Sequence, residues 1–300
     1  MGASVLYSQE LRAHLEAIEA ALPGYLPTPT ADYQPVPEAM LYACEAGGKR
    51  LRPVLVMEFC RLCGGDPKAA LPFACALEMI HSYSLVHDDL PCMDNSPLRR
   101  GKPSVHAAFG ETMALLAGDA LLNRAFEVAL SPAARTLVDG DKAAAAAFEL
   151  ADAAGIHDMI GGQVMDLRCE GQQIDMDTLV TLQAGKTAAL IKAACRMGVL
   201  LAGGSEEQLE AATAFGFELG LAFQIVDDIL DVTSTPEVLG KPTGSDAENE
   251  KTTYVSLLGL EGASALAKSR TDTALAALAA FGEAGESLRQ LATSLLTRIA

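Results

Sequence analysis

The 300-residue chain predicts an all-α fold. Alanine, leucine, glutamate and methionine are frequent, and these residues favour helix. Strand-type alternation of apolar and polar residues is hard to find. Glycine and proline punctuate the chain, leaving periodic segments of about 12 to 28 residues, long enough for helices. The first segment, 4–21, ends at Pro23-Gly24; the second, 36–46, emerges from the proline-rich stretch Pro27 to Pro37. The third, 51–63, lies between Gly47-Gly48 and Gly64-Gly65. The fourth, 67–89, runs up to Pro91, because proline disfavours helix in the residue before it. After Pro103 come 111–130 and 142–169, the latter carrying the alanine run Ala143 to Ala147. Segment 175–202 closes at Gly203-Gly204 and 206–233 stops ahead of Pro236. Helices over 251–258, 262–280 and 284–298 complete the chain. No linker divides it and no tandem repeat of roughly 20 to 50 residues shows. Residues 1–300 are expected to form one domain of long helices around a core.

Composition narrows the function. A net charge of −17 argues against nucleic acid and anionic membrane as partners. No uninterrupted apolar run reaches the roughly 18 residues of a membrane span. Seven scattered cysteines and no signal-peptide pattern lead to the expectation of a reducing, cytoplasmic setting. Cys60 and Cys63 form a lone CxxC, which reads as buried thiols at a helix end.

Two aspartate clusters carry the chemistry. Asp88, Asp89 and Asp94 follow the apolar stretch Ala74 to Val86; Asp227, Asp228 and Asp231 follow Phe215 to Val226. Grouped carboxylates repel and are costly to desolvate, so they call for a counter-cation. Asp88 and Asp89 fall on the last turn of a helix, where the dipole is already negative. Asp227 and Asp231 share a helix face, with Gln224 extending the polar stripe. The spacing suits magnesium, which takes one or two carboxylates per ion and fills the rest with water and phosphate oxygen. An exposed acidic helix end is the competing reading of the first cluster.

Tight basic clusters stand out in so acidic a chain. Gly47-Gly48-Lys49-Arg50-Leu51-Arg52-Pro53 is the densest, with Lys49 and Arg52 one turn apart at a helix start, where amide groups favour phosphate. Arg99, Arg100 and Lys102 follow the first aspartate cluster, and Lys241 and Lys251 follow the second. Arginine forks match phosphate oxygens, although internal salt bridging explains the 99–102 segment equally well. Lys186 interrupts an otherwise apolar helix; its Gly185-Lys186-Thr187 context is no P-loop, because Val180 stands where the first glycine is required.

Together these segments resemble the trans-polyprenyl diphosphate synthases of bacteria and plastids. Gly47 to Pro53, His81 to Asp94, Leu98 to Pro103, Gly118-Asp119, Gly162-Gln163, Gly185 to Thr187, Phe223 to Asp231 and Lys251 to Tyr254 occur in the family's order. The resemblance implies long helices around a deep central cavity, usually in a homodimer. It implies that an allylic diphosphate ionises and that isopentenyl diphosphate attacks the resulting cation. Three magnesium ions between the clusters would neutralise the leaving diphosphate. By motif match, Asp88, Asp94 and Asp227 look like direct ligands, with Asp89, Asp228 and Asp231 as ligands or holders of metal-bound water. Arg99, Lys186, Lys241 and Gln224 would grip the allylic diphosphate, and Lys251 would be a further substrate-binding residue. Gly48, Lys49, Arg52, His81 and Arg100 would surround isopentenyl diphosphate. Thr187 and Gln224 would steady the cation, and the departing diphosphate would take the proton. His87 and His106 read as structural histidines.

Product length turns on the helix below Asp88, where five residues rise about 7.5 Å. Ser84 lies under Asp88 and Tyr83 beside it. An aromatic residue five before the first aspartate resembles bacterial C15 (farnesyl) synthases. The spelling Pro91 to Asn95 resembles plastid C20 (geranylgeranyl) enzymes, which usually carry methionine in place of Tyr83. A bulky floor favours C15. The chain departs from relatives at Ser96-Pro97, at Ser245 and in a C-terminus without a basic tail. Three rivals compete: an HD-type metal phosphohydrolase, from His87-Asp88 and His157-Asp158; a terpene cyclase; and a non-catalytic prenyl synthase subunit.

Overall fold

The computed structural model describes residues 8–30, 32–234 and 251–296. Helix α1 (Gln9–Tyr25) starts at Ser8, whose hydroxyl accepts from the Leu11 amide, and runs through Pro23, which the sequence reading took as its stop. Helix α2 (Pro35–Cys44) leads through Gly47 and Gly48, both at positive φ, into α3 (Leu51–Leu62). Helix α4 (Pro67–Asp88) has almost no polar face; it buries Phe73, Leu77, Met79 and Ile80 and ends on the first aspartate. Its Asp66 cap accepts from Lys68 N.

A two-residue hairpin follows, β1 (Leu98–Arg99) against β2 (Lys102–Pro103). Arg100 and Gly101 turn it with positive φ of 55° and 77°. Such a tight turn usually advertises itself as Asn-Gly or Asp-Gly, so an arginine in the first central position hides it from sequence reading. Helices α5 (Val105–Phe109), α6 (Glu111–Ala129) and α7 (Ala134–Leu137) come next. Helix α6 packs along α4, and Gly118 gives the His87 ring room to lie across it.

The expected helix over 142–169 is two helices, α8 (Gly140–Ala154) and α9 (Met159–Cys169). The chain turns between them with Gly161 pressed against the Ile156 carbonyl, where a Cβ would collide. Strong helix formers on both sides hide that break. The expected 175–202 helix is α10 (Met176–Gln183), a π turn (Ala184–Ala188) and α11 (Ala189–Ala202). Helix α12 (Glu206–Thr233) begins with a capping box between Ser205 and Gln208 and ends on the second aspartate cluster. Helix α13 (Tyr254–Ala277) kinks at Gly259 (φ 69°), near the expected break at 258–262. A 3-10 stretch (Leu278–Gly285) and α14 (Glu286–Leu296) close the described chain.

One core joins α1, α3, α4, α6, α8 and α11 with the first half of α12; a second lies between the end of α12 and α13. Phe59 on α3 stacks on Phe215 of α12 and on Phe281. Helices α4 and α12 are long and apolar enough to cross a membrane, but much of their surface is buried inside the fold. They are core helices whose C-terminal ends carry aspartates.

Candidate active site

The first cluster sits where α4 ends. Asp88 is the last helical residue, Asp89 caps it, and Asp94 lies in the following turn with its amide bonded to the Asp88 carbonyl at 2.9 Å. Asp88 and Asp89 are 7% and 2% exposed, so they point inward and not to solvent. Gln163 of α9 donates to Asp88 Oδ1 at 2.8 Å, and Lys186 Nζ lies 3.5 Å from Asp88 Oδ2. Arg99 of the hairpin grips Asp89 with its fork, Nε to Oδ2 at 3.1 Å and Nη2 to Oδ1. Burial still pushes both carboxyls above the usual range, against the pull of Lys186 on Asp88 and of Arg99 on Asp89.

The second cluster lines the inner end of α12. Asp228 accepts from Gln224 Nε2 at 2.9 Å and from the Tyr254 amide at 3.0 Å, which fastens the N-terminus of α13 to α12. Asp228 and Asp231 are buried, and Asp227 is partly exposed. An open hollow of about 710 Å³ between Gly171–Ile174 and Lys251–Leu257 has Asp228 and Asp231 in its wall.

The π turn links the two clusters. Lys186 reaches Asp88 and Asp166, while the next residue, Thr187, donates to Gln224 Oε1 at 3.3 Å. The extra residue of a π turn lets neighbouring side chains diverge in this way, a geometry common at functional sites. Gly162 of α9 makes it possible, since any Cβ there would strike the Lys186 backbone. Asp166, which sequence reading missed, is the hub: it accepts from Lys186 at 2.6 Å and from Lys251 at 3.0 Å. Burial opposes its charge, but the two lysines prevail and hold Asp166 below the usual carboxylate range. Lys251 also approaches Asp94 (3.6 Å) and Glu170 (3.7 Å). The readable signal was Gln163 and Asp166 three apart on one face of α9, after the motif Gly162-Gln163.

A basic pocket adjoins these acids. Lys49 Nζ stands 4.7 Å over the Phe223 ring, on the helix that carries the second cluster. Arg52 Nη1 lies 3.5 Å from His81 Nε2, and its Nε is buried with no hydrogen-bond partner. Burial and Arg100 lower the Arg52 guanidinium to about 10, against Glu78 and Asp227. Burial, then Arg52 and Arg100, keep His81 neutral by pulling it well below its ordinary value. Gly48, at φ +130°, packs directly on the Arg100 guanidinium, which donates to the Gly47 carbonyl. Converging cations, a neutral histidine and an orphaned buried donor fit an anion with several oxygens, as diphosphate has.

Tyr83 is buried beside His87, ring edge to face at 5.7 Å, and its hydroxyl has no partner. Burial and then Asp88 push that hydroxyl up to about 12. The Ser84 carbonyl accepts from Gln163 at 3.4 Å, so Ser84 shares the Asp88 face. His87 bonds the Leu115 carbonyl and Asp158 pairs with Lys192, so the two HD pairs face separate partners. His106 bonds Ser104. Burial raises the thiols of Cys60 and Cys63 at the end of α3, where Cys60 is buried as expected and Cys63 only partly so. Among the described residues, acidic, histidine and cysteine side chains form no closed cage of three, because lysines and arginines already hold several of the aspartates. The carboxylate oxygens at the ends of α4 and α12 are nevertheless of the donor type that magnesium takes. Lys241, Ser245 and residues 297–300 lie outside the described residues.

A family model described as polyprenyl synthetase matches residues 34–289. Heterodimeric geranylgeranyl pyrophosphate synthase large subunit 1 of Arabidopsis thaliana is 48% identical over 75% of this chain. The match spans 61% of that relative's length. Farnesyl diphosphate synthase of Bacillus subtilis is 46% identical, over 75% of this chain and 76% of its own. Geranyltransferase from Helicobacter pylori, solved with magnesium and isoprenyl diphosphate, superposes with a TM-score of 0.81 at 33% identity, covering 97% of this chain and 98% of that one.

The raised carboxyl of Asp88 makes a stability prediction. A carboxyl whose folded value lies above its unfolded one favours folding below the unfolded value and loses that contribution as pH rises through the folded one. At neutral pH the buried charge is therefore a liability, and Asp88→Asn should raise the melting temperature. Thermal melts at pH 7.5 check this; a lower melting temperature would show that the Lys186 contact outweighs burial.

Proposed function

The chain belongs to the polyprenyl synthetase family, and from that premise we propose that it condenses isopentenyl diphosphate with dimethylallyl or geranyl diphosphate to give farnesyl diphosphate. The observation that carries this reading is the π turn, which sends Lys186 to Asp88 of one cluster and Thr187 to Gln224, itself bonded to Asp228 of the other, beside a basic pocket in which Arg52 Nε is buried without a partner.

Asp88, Asp94, Asp227 and Asp231 would hold magnesium, which supplies charge neutralisation for a departing diphosphate. Asp89 and Asp228 are engaged by protein donors, Arg99 for one and Gln224 with the Tyr254 amide for the other. Those two would orient the neighbouring aspartates. Lys186 and Lys251 would exchange some of their carboxylate contacts for oxygens of the allylic diphosphate, which Lys241 would also bind. Lys49, Arg52, His81 and Arg100 would bind isopentenyl diphosphate, with His81 neutral and able to share a proton with an anionic oxygen. Gln224 Oε1 and Thr187 Oγ1 would turn their dipoles on the allylic cation, and the apolar walls of α4 and α6 would exclude water.

Incubation of the purified protein with magnesium, isopentenyl diphosphate and geranyl diphosphate should release diphosphate and form a longer linear prenyl diphosphate. Asp227→Asn should lower kcat by about a hundredfold or more, and chelation should abolish turnover. Orthophosphate release, a cyclic hydrocarbon, or no turnover without a second protein would overturn the assignment in favour of a hydrolase, a cyclase or a subunit.

Tyr83 supports a C15 product, because a buried ring on α4 one turn before the aspartates limits the room for a growing chain. The plant geranylgeranyl relatives favour C20 as the second reading. Tyr83→Ala should lengthen the product, read by chromatography after dephosphorylation; an unchanged C15 product removes Tyr83 as the floor.

A homodimer is part of the same proposal. Leu115 and Leu116 on α6, and Phe148, Ile160 and Val164 on α8 and α9, are exposed apolar side chains that a second copy would cover. Light scattering should return twice the chain mass; the mass of one chain would exclude the dimer.

A further inference from the structure

Arg50 lies inside the basic motif, yet it faces away from the pocket. Its side chain is buried and its backbone is left-handed, at φ 48° and ψ 32°, just before α3. A non-glycine residue seldom adopts that conformation, which costs on the order of 1–3 kcal/mol unless its surroundings enforce it. Three contacts enforce it here. Nε donates to Glu19 of α1 at 2.7 Å, Nη1 to Glu78 of α4 at 2.7 Å, and Nη2 to the Cys44 carbonyl at the end of α2. One guanidinium thus ties three helices to the turn that opens a fourth.

The consequences fall on its neighbours. With Arg50 directed inward, Lys49 reaches over Phe223 and Arg52 reaches His81. Glu78 is 2% exposed and ion-paired with Arg50, and its charge also offsets part of the burial that lowers Arg52 and Arg100. Arg100 is a second arginine at positive φ and closes the pocket from the hairpin through the Gly47 carbonyl.

We propose that Arg50, bolted to Glu78, Glu19 and the Cys44 carbonyl, is a positioning residue that sets the Lys49–Arg52 spacing for one of the two diphosphates, the non-allylic one. It touches no substrate. It acts on the pocket of Lys49, Arg52, His81 and Arg100 and leaves the Lys186–Asp88–Asp166 side unaltered. The inference rests on the prenyl-transfer reading above.

Arg50→Lys keeps the charge and loses the fork. KM for isopentenyl diphosphate should rise about tenfold, the equivalent of ~1.4 kcal/mol. KM for geranyl diphosphate and the magnesium-dependent hydrolysis of geranyl diphosphate alone should stay within about twofold. In a Lys49→Ala, Arg52→Ala background the same substitution should have little further effect, because residues acting through one another are not additive. If Arg50→Lys fails to fold, Glu19→Gln removes only the half-exposed partner and should raise the same KM about threefold. Equal changes in both KM values, no change in either, or full additivity with the Lys49 and Arg52 variants would overturn the positioning role. Failure of the wild-type protein to consume isopentenyl diphosphate would instead overturn the prenyl-transfer reading, so the two failures are distinct.

Discussion

Buried negative charge at the C-terminal ends of two core helices is the constraint on which this structure turns. Helices α4 and α12 each deliver aspartates to the end where the helix dipole is already negative. At α4 the fold tolerates this because cations reach the cluster, Arg99 from the hairpin, Lys186 from the π turn and Lys251 from the segment before α13, and at α12 Gln224 and the Tyr254 amide donate to Asp228. The Lys186 and Lys251 contacts join elements far apart in sequence, whereas the Arg99 contact closes a loop of ten residues. The acidic site and the arrangement of the helix ends are therefore one problem with one solution.

The same logic, with signs reversed, governs the neighbouring pocket. Arg52, Arg100 and His81 crowd together, and burial weakens the charged forms of all three. Glu78 underneath offsets part of that cost, and Asp227 lends some of its field to Arg52. An acidic half and a basic half in contact would suit the proposed reaction between two diphosphates: the aspartates would hold magnesium beside the departing one, and the cations would hold the other still.

Glycines set how closely these parts approach. Gly162 lets α9 meet the Lys186 backbone, and Gly48 lets the chain lie against the Arg100 guanidinium. Gly118 leaves space for His87, which binds a backbone carbonyl and has no place in the site. None of the three is chemical, yet Gly162 and Gly48 each fix the position of a group that is.

The sequence by itself determined the helical class, the helix ends at both aspartate clusters, and the segments that carry charge. Each of these follows from local rules: periodicity, proline and glycine punctuation, and the cost of grouped like charges. It did not reveal the break at Gly155–Asp158, the hairpin turned by Arg100-Gly101, or the π turn, because strong helix formers or an atypical turn residue hid them. Asp166 as hub and Arg50 as bolt were equally hidden. Only the tertiary structure decided which cation faces which carboxylate, because partners such as Lys186 and Asp88 sit on different elements and are chosen by the packing of helices, not by their spacing along the chain.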